Sequence, residues 1–384
     1  MIGESCSDAE LVGHLTRMVA EHPRDPDWAA KLAQVLAASG TKFEALGRRT
    51  ADVASTGGPS SLSTLLCPLF LRVASFCVPK LGVPGRPAGG IDCLAQVQGY
   101  KTALTGAELR HVIEECEYAH FVAAGRFAPL DARIFRLRQQ YGLQDVPVLV
   151  AASLLSKKLA AGVSTAGLDI RVAPHGNFGR TFEEARFNAQ MYEQAAAQLG
   201  ISGRPVLTDG SVPYQAYIGR AEALAALVTV FHGTADSWLQ EHVELCRQLS
   251  AAAVPDESAA IERATREQLR QAFNANLVAQ GASYDAFLSA AERGAAGHGT
   301  EISAERDGAA EISLEGIRRT LVAAQKMDGT GEQFPDPAGV ILRKRPGEVV
   351  RRGEVIATVR ADVPGQRDNI VHQLKAAIRV GEVS

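Results

Sequence analysis

Two short stretches carry the residue types that could do chemistry together. One is Asp52-Val53-Ala54-Ser55-Thr56-Gly57-Gly58, continuing into Pro59-Ser60-Ser61-Leu62-Ser63-Thr64 and expected to follow an apolar helical lead-in. Paired glycines let backbone N–H groups approach an anion closely, and clustered hydroxyls add neutral donors. A plain Ser/Gly turn has the same composition. No Gly-x-x-x-x-Gly-Lys accompanies it, which excludes a nucleotide-triphosphate P-loop. The other stretch is Ala151-Ala152-Ser153-Leu154-Leu155-Ser156-Lys157-Lys158, in which Ser153 and Lys157 stand four apart. On a helix that spacing puts a hydroxyl and an ammonium on one face, with Lys158 rotated away by about 100° and expected to matter less. Phe135 and Arg138, three apart, share a face if their segment is helical. A ring, a guanidinium, a hydroxyl and an ammonium can together read a flat polar heterocycle. The alternative is two solvated charges and a core phenylalanine.

The elements that must position these residues follow from periodicity. Leu11, Leu15, Met18 and Val19, then Trp28, Leu32, Val35 and Leu36, predict helices over 8–20 and 27–39, with Pro23 and Pro26 breaking the chain between them. Residues 146–161 read as one continuous helix ending near Gly162. Leu168–Val172 and Pro205–Thr208 read as strands separated by a helix over 181–199, a pattern that implies a parallel sheet with helices on its faces. Residues 292–310, rich in Gly, Ala and charge, are expected to be a connector to a last domain. There Gly339–Leu342 and Glu354–Val359 flank Pro346-Gly347-Glu348 and Arg352-Gly353, as small β-structure with tight turns. A lipoyl or biotinyl carrier has a similar texture, but no Met-Lys-Met-type tip is present.

At 384 residues the chain is long enough for two or three domains of about 150 residues each. Forty basic against 43 acidic residues, a net charge of −3, give no support for non-specific nucleic-acid binding. The longest charge-free run, Val53 to Leu71, contains Gly57-Gly58-Pro59, which argues against a membrane span. The N-terminus lacks the basic-then-apolar order of a signal peptide. Six scattered cysteines form no Cys-x-x-Cys pair and no zinc-like spacing with histidine, so free thiols in a cytoplasmic protein are expected.

Read together, the motifs resemble the pyrimidine-nucleoside phosphorylases of the thymidine phosphorylase type. The family pattern is Asp-Lys-His-Ser-Thr-Gly-Gly, then Ser-Gly-Arg-Gly-x-Gly-His-Thr-Gly-Gly-Thr-x-Asp-x-Leu, Leu-Tyr-x-x-Arg and Ser-Ile-Leu-Ser-Lys-Lys. The chain offers Asp52–Gly58, Pro84–Leu94, Ile134–Arg138 and Ser153–Lys158 in the same order, with a matching fifteen-residue step from Arg138 to Ser153. Arg306-Asp307-Gly308 and the Gly339–Val359 hairpin also look like the family's C-terminal part, so the resemblance covers nearly the whole chain.

The resemblance implies an α/β fold: a small all-helical domain (1–47 with 132–165), a large α/β domain with a central sheet (48–131 with 166–298), and a small C-terminal α/β, barrel-sandwich-like part (299–384). It implies a homodimer formed through the helical domain. In the family, phosphate attacks C1′ of the nucleoside and the pyrimidine leaves, through a transition state akin to that of glycoside cleavage, with no metal or organic cofactor. Carried over, Phe135, Arg138, Ser153 and Lys157 bind the pyrimidine, Arg138 and Lys157 being the catalytic pair, and Ser55 with Ser63 or Thr64 binds phosphate. Phe135 stands for a tyrosine, keeping the ring and deleting the hydroxyl.

The phosphate half is altered. Val53 stands for a phosphate-binding lysine, Ala54 for the histidine that protonates the base, and the Pro84–Gly90 loop is shortened. Phosphorolysis is therefore expected to be impaired, with Val53→Lys and Ala54→His together restoring part of it. His175, in the turn after Leu168–Val172, is the candidate replacement acid; Asp169 is expected to orient its neighbours. Three readings stand: a divergent pentosyltransferase for a pyrimidine nucleoside or related N-glycoside, an inactive pyrimidine-binding protein, and a phosphoribosyltransferase-like enzyme. The last would call for extra acidic positions, where these loops offer hydroxyls.

Overall fold

The computed structural model describes residues 3, 5–44, 47–123, 125–295, 299–327, 333–363 and 365–382. Helices α1 (Asp8–Glu21) and α2 (Pro26–Ala38) form where the apolar spacing predicts them. Ser7 and Glu10 close a capping box on α1, and Asp25 caps α2 with Pro26 at its first position, so Pro26 opens the helix as well as ending the turn. Strand β1 (Ala51–Ser55) follows. The helical lead-in expected before the Asp52 motif is not formed: Ser39–Lys42 and Gly47–Thr50 carry no helix, and β1 is hydrogen-bonded in parallel to a neighbour over Ala51–Ser55. The alternation of this segment suits a strand better than a helix face.

Next come α3 (Ser63–Val73), β2 (Val78–Gly82), α4 (Gly90–Leu94), α5 (Gly106–Cys116) and β3 (Tyr118–Val122). Helix α6 (Pro129–Gln140), which puts Phe135 and Arg138 on a helix, and α7 (Pro147–Ala160) precede β4 (Thr165–Val172), α8 (Phe182–Gln198) and β5 (Ser202–Asp209), the last four as the sequence pattern predicts. Strands β1, β4 and β5 make a parallel sheet, and β2 pairs in parallel with β3. A parallel bridge between Thr50 and Cys77 joins the two, giving the order β5-β4-β1-β2-β3. The fold is thus α/β with a central parallel sheet.

One apolar cluster joins α1, α2, α6 and α7 to one face of this sheet. A second, including α3, α9 (Arg220–His232) and α10 (Ser237–Ala253), packs the other side. The C-terminal part has its own core and two antiparallel sheets. Its central pairing, Ala338–Leu342 with Val355–Ala361, is the β-structure read around the Pro346 and Arg352 turns. The expected connector 292–310 is a correction: Thr300–Ser303 and Gly308–Ile312 are strands of these two sheets, and residues 296–298 lie outside the described residues. Hydrogen bonding to partners distant in sequence overrides the local Gly/Ala composition. No described helix is long and apolar enough to cross a membrane.

Candidate active site

A cavity of about 420 Å³ opens between α6 and α7 on one side and the ends of β1–β3 on the other. Pro147 sits at the first turn of α7, and the long apolar face of that helix is buried, which fixes the rotation of its polar residues. Ser153 and Lys157 consequently face the cavity together: Lys157 Nζ donates to Ser153 Oγ at 2.9 Å and to the Ser153 carbonyl at 2.9 Å. The same ammonium pairs with Asp131 of α6. The other carboxylate oxygen of Asp131 is buried without a hydrogen-bond partner among the described residues. Phe135 lines the cavity one turn further along α6, and the Arg138 guanidinium lies 6.0 Å from its ring centre.

Arg138 borders the cavity, but its guanidinium is committed elsewhere. Nε donates to the carbonyl of Leu143 (3.0 Å), Nη1 to that of Leu149 (3.1 Å) and Nη2 to that of Gln144 (2.7 Å), tying down the α6–α7 loop. Burial lowers its pKa to about 10.

The sheet side assembles residues that spacing alone does not connect. In β2 and β3, Lys80 and His120 are register partners, and Lys80 reaches Asp52 of β1, so three neighbouring strands present one row of side chains. Lys80 Nζ donates to Asp52 Oδ1 at 2.6 Å and to the Val53 carbonyl at 2.7 Å. Lys158 descends from α7 onto the other oxygen of Asp52. Two buried ammoniums therefore share one carboxylate, leaving one positive charge without a counter-charge among the described residues. The Asp52 carboxyl is held far below the usual carboxylate range by these lysines, against the opposing effect of its burial. Burial depresses the Lys158 pKa, and Asp52 opposes that. His120 is pushed well below the ordinary imidazole value by burial and by Lys80, so it stands neutral. The expectation that Lys158 stands apart from the site is thus corrected, since a helix flanked by sheet on one side and cavity on another has more than one functional face.

Strand alternation also decides the Val53–Ala54 pair. Asp52 and Ala54 line the cavity, whereas Val53 is 1% exposed in the apolar cluster on the opposite face, against Gly167. A lysine at 53 would point into that core, so the expected gain from Val53→Lys is withdrawn.

Among the expected anion ligands, Ser55 and Thr64 line the cavity with the Gly57–Gly58 backbone. Ser63 does not; its hydroxyl is buried and accepts from Arg171 Nη2 at 3.0 Å. Arg171, from β4, fills the loop, bonding the carbonyl of Gly57 and pairing with Asp169 at 2.8 Å. Asp169 thus orients a neighbour, as the sequence suggested. His175 is exposed in the turn after β4 and outside the cavity; the imidazole that lines it is His120. Sequence reasoning missed Lys80, His120 and Arg171. The available signal was a lone cationic or imidazole residue inside an otherwise buried strand, as in Val78-Pro79-Lys80-Leu81.

Fold and site together define an α/β protein whose cavity carries an aromatic ring, a hydroxyl and an ammonium on its helical wall and surplus positive charge on its sheet wall. No family model matches the chain. It is similar to the pyrimidine-nucleoside phosphorylase of Staphylococcus epidermidis, 27% identical over 348 residues, covering 86% of this chain and 78% of that one. It is likewise similar to the thymidine phosphorylase of Mycobacterium tuberculosis, 29% identical over 351 residues, covering 87% and 78%. The solved anthranilate phosphoribosyltransferase of Thermus thermophilus aligns with a TM-score of 0.49 and 17% identity, covering 70% of this chain and 84% of that one. These likenesses, at 27–29% identity, support a divergent relative of the thymidine and pyrimidine-nucleoside phosphorylases.

Proposed function

We propose that this protein is a pentosyltransferase that holds a pyrimidine base or nucleoside against Phe135, Ser153 and Lys157 and an oxyanion over Lys80, Lys158 and the Ser55–Gly58 loop. The observation that carries this reading is the single cavity lined from both sides by these groups. The oxyanion attacks C1′ as the C1′–N bond breaks and its electron pair leaves with the base. The Lys157 ammonium stabilises the charge that develops on the base, and the free oxygen of Asp131 is available to accept a ring N–H or sugar hydroxyl. Arg138 acts by fixing the α6–α7 wall, since its N–H groups serve the Leu143, Gln144 and Leu149 carbonyls.

Ala54 supplies no acid, and neutral His120 is a poor one, so turnover is slow: a missing general acid typically costs about 10²–10⁴-fold. That same absence favours a second reading, a pyrimidine-binding protein without turnover. We assign residues 1–47 with 132–165 to a helical lobe, 48–131 with 166–298 to the sheet lobe and 299–384 to the C-terminal part. Homodimerisation through the helical lobe is in keeping with Trp28 and Val35, large apolar side chains each 38% exposed on α2.

The test is base release from uridine and thymidine with and without phosphate, alongside calorimetric titration of uracil. Binding with slow, phosphate-dependent release is expected. Binding without release selects the second reading, and no pyrimidine binding at all rejects both.

A further inference from the structure

Seven basic side chains and two carboxylates line the cavity, and most of the cations have partners. Lys157 has Asp131, Arg171 has Asp169, Arg138 has three carbonyls, and Lys80 and Lys158 share Asp52. Arg86 and Arg318 are different. Neither guanidinium has a hydrogen-bond or carboxylate partner among the described residues, yet both border the same cavity. They come from separate parts of the fold: Arg86 from the β2–α4 loop, Arg318 from the C-terminal helix Leu314–Met327. Burial and then the charge of Arg318 depress the Arg86 pKa, against a smaller opposing effect of Asp92, so the two like charges are within electrostatic reach of one another. Two like charges bordering one cavity repel, and an anion bound between them relieves that repulsion.

The backbone beneath them is built for the purpose. Asp92 accepts from the Gly85 N–H at 2.7 Å and the Arg86 N–H at 3.2 Å, and pairs with Arg220 at 2.8 Å. Arg220, 1% exposed, also donates to the Arg86 carbonyl at 3.2 Å and to the carbonyl of Pro335 in the C-terminal part. One buried arginine therefore fixes the Arg86 loop and the C-terminal part against each other while leaving the Arg86 side chain uncommitted.

We propose that Arg86 and Arg318 form a second anion subsite, and that the ligand carries a phosphate ester there: a nucleoside monophosphate rather than a free nucleoside. This rests on the pyrimidine reading of the Ser153–Lys157 wall, with the Lys80–Lys158 floor holding the first anion. Two guanidiniums match a phosphate monoester in charge and offer it forked donors.

The experiment is calorimetric titration of uridine, uridine 5′-monophosphate and ribose 5-phosphate into the wild-type protein and Arg318→Met, in phosphate-free buffer at fixed ionic strength. Arg318 is exposed on a surface helix, so the variant should fold; circular dichroism checks this, and Arg86→Met provides an independent variant. The wild type should bind the monophosphate at least about tenfold more tightly than uridine, and the ratio should fall toward one in Arg318→Met. Equal affinity for the two ligands, or a ratio that neither substitution changes, overturns the proposal. If ribose 5-phosphate binds through Arg318 as tightly as the monophosphate while uridine fails, the subsite stands and the pyrimidine reading falls. If none of the three binds, the subsite is rejected.

Discussion

Removing Lys80 should separate the cavity's chemistry from its architecture. Asp52 is 1% exposed and lies between two ammoniums, Lys80 at 2.6 Å and Lys158, so the trio carries one uncompensated positive charge. In Lys80→Met the remaining Asp52–Lys158 pair is neutral. The loss of two hydrogen bonds is offset by removal of a buried surplus charge, and stability should change by no more than about 1–2 kcal/mol. Asp52→Asn does the opposite, leaving two buried ammoniums on a neutral amide, at a cost of about 3–5 kcal/mol. The order reverses for an oxyanion ligand. Losing one charged contact of about 1.5–3 kcal/mol should weaken phosphate binding by about 10- to 150-fold in Lys80→Met. Urea denaturation gives the two stabilities, and calorimetric titration of phosphate gives the affinities. A Lys80→Met protein as unstable as Asp52→Asn, with phosphate affinity unchanged, would show the trio to be structural only and refute the reasoning.

Other consequences follow from strand alternation and burial. Val53→Lys should destabilise the fold by several kcal/mol, because it places an unpaired ammonium in the apolar cluster behind β1, and it should not raise base release; urea melts and a release assay check both. Ala54→His, by contrast, projects an imidazole into the cavity and should raise phosphate-dependent release by itself, by up to about 10²-fold. Stability should fall with acidity below about pH 6.5. His242 is lowered to about 3 by burial and Arg171, and His120 is lowered too, so the unfolded chain takes up their protons first. Each histidine contributes about 1.4 kcal/mol per pH unit between its unfolded and folded values, and His242→Gln should remove one such increment from the slope of urea stability measured at pH 7, 6 and 5. A slope unaffected by that substitution would show that His242 is not the titrating group.

Local pattern made much of this molecule legible. The three- and four-residue spacings in α6 and α7 placed Phe135, Ser153 and Lys157 on one wall because a helix converts sequence separation directly into angle. The apolar runs at Leu168–Val172 and Pro205–Thr208, separated by a helix, fixed a parallel pair for the same reason. The segment before Asp52 misled, since a short apolar stretch serves helix or strand until pairing partners choose. Residues 300–312 misled because small residues enter a sheet when distant strands supply the hydrogen bonds.

What the sequence determined by itself was therefore the class of fold, the likeness to a family and the Phe135–Ser153–Lys157 wall, all of which depend on interactions within a turn or two of chain or on motif order. The tertiary structure decided the charge of the opposite wall. Lys80, His120 and Asp52 belong to three strands, Lys158 to a helix over a hundred residues from Asp52, and Arg318 to another part of the fold. Whether a buried lysine serves a ligand or only a neighbour depends on how many carboxylates reach it. That count is set by strand order, register and the side of the sheet each residue faces, none of which local sequence encodes.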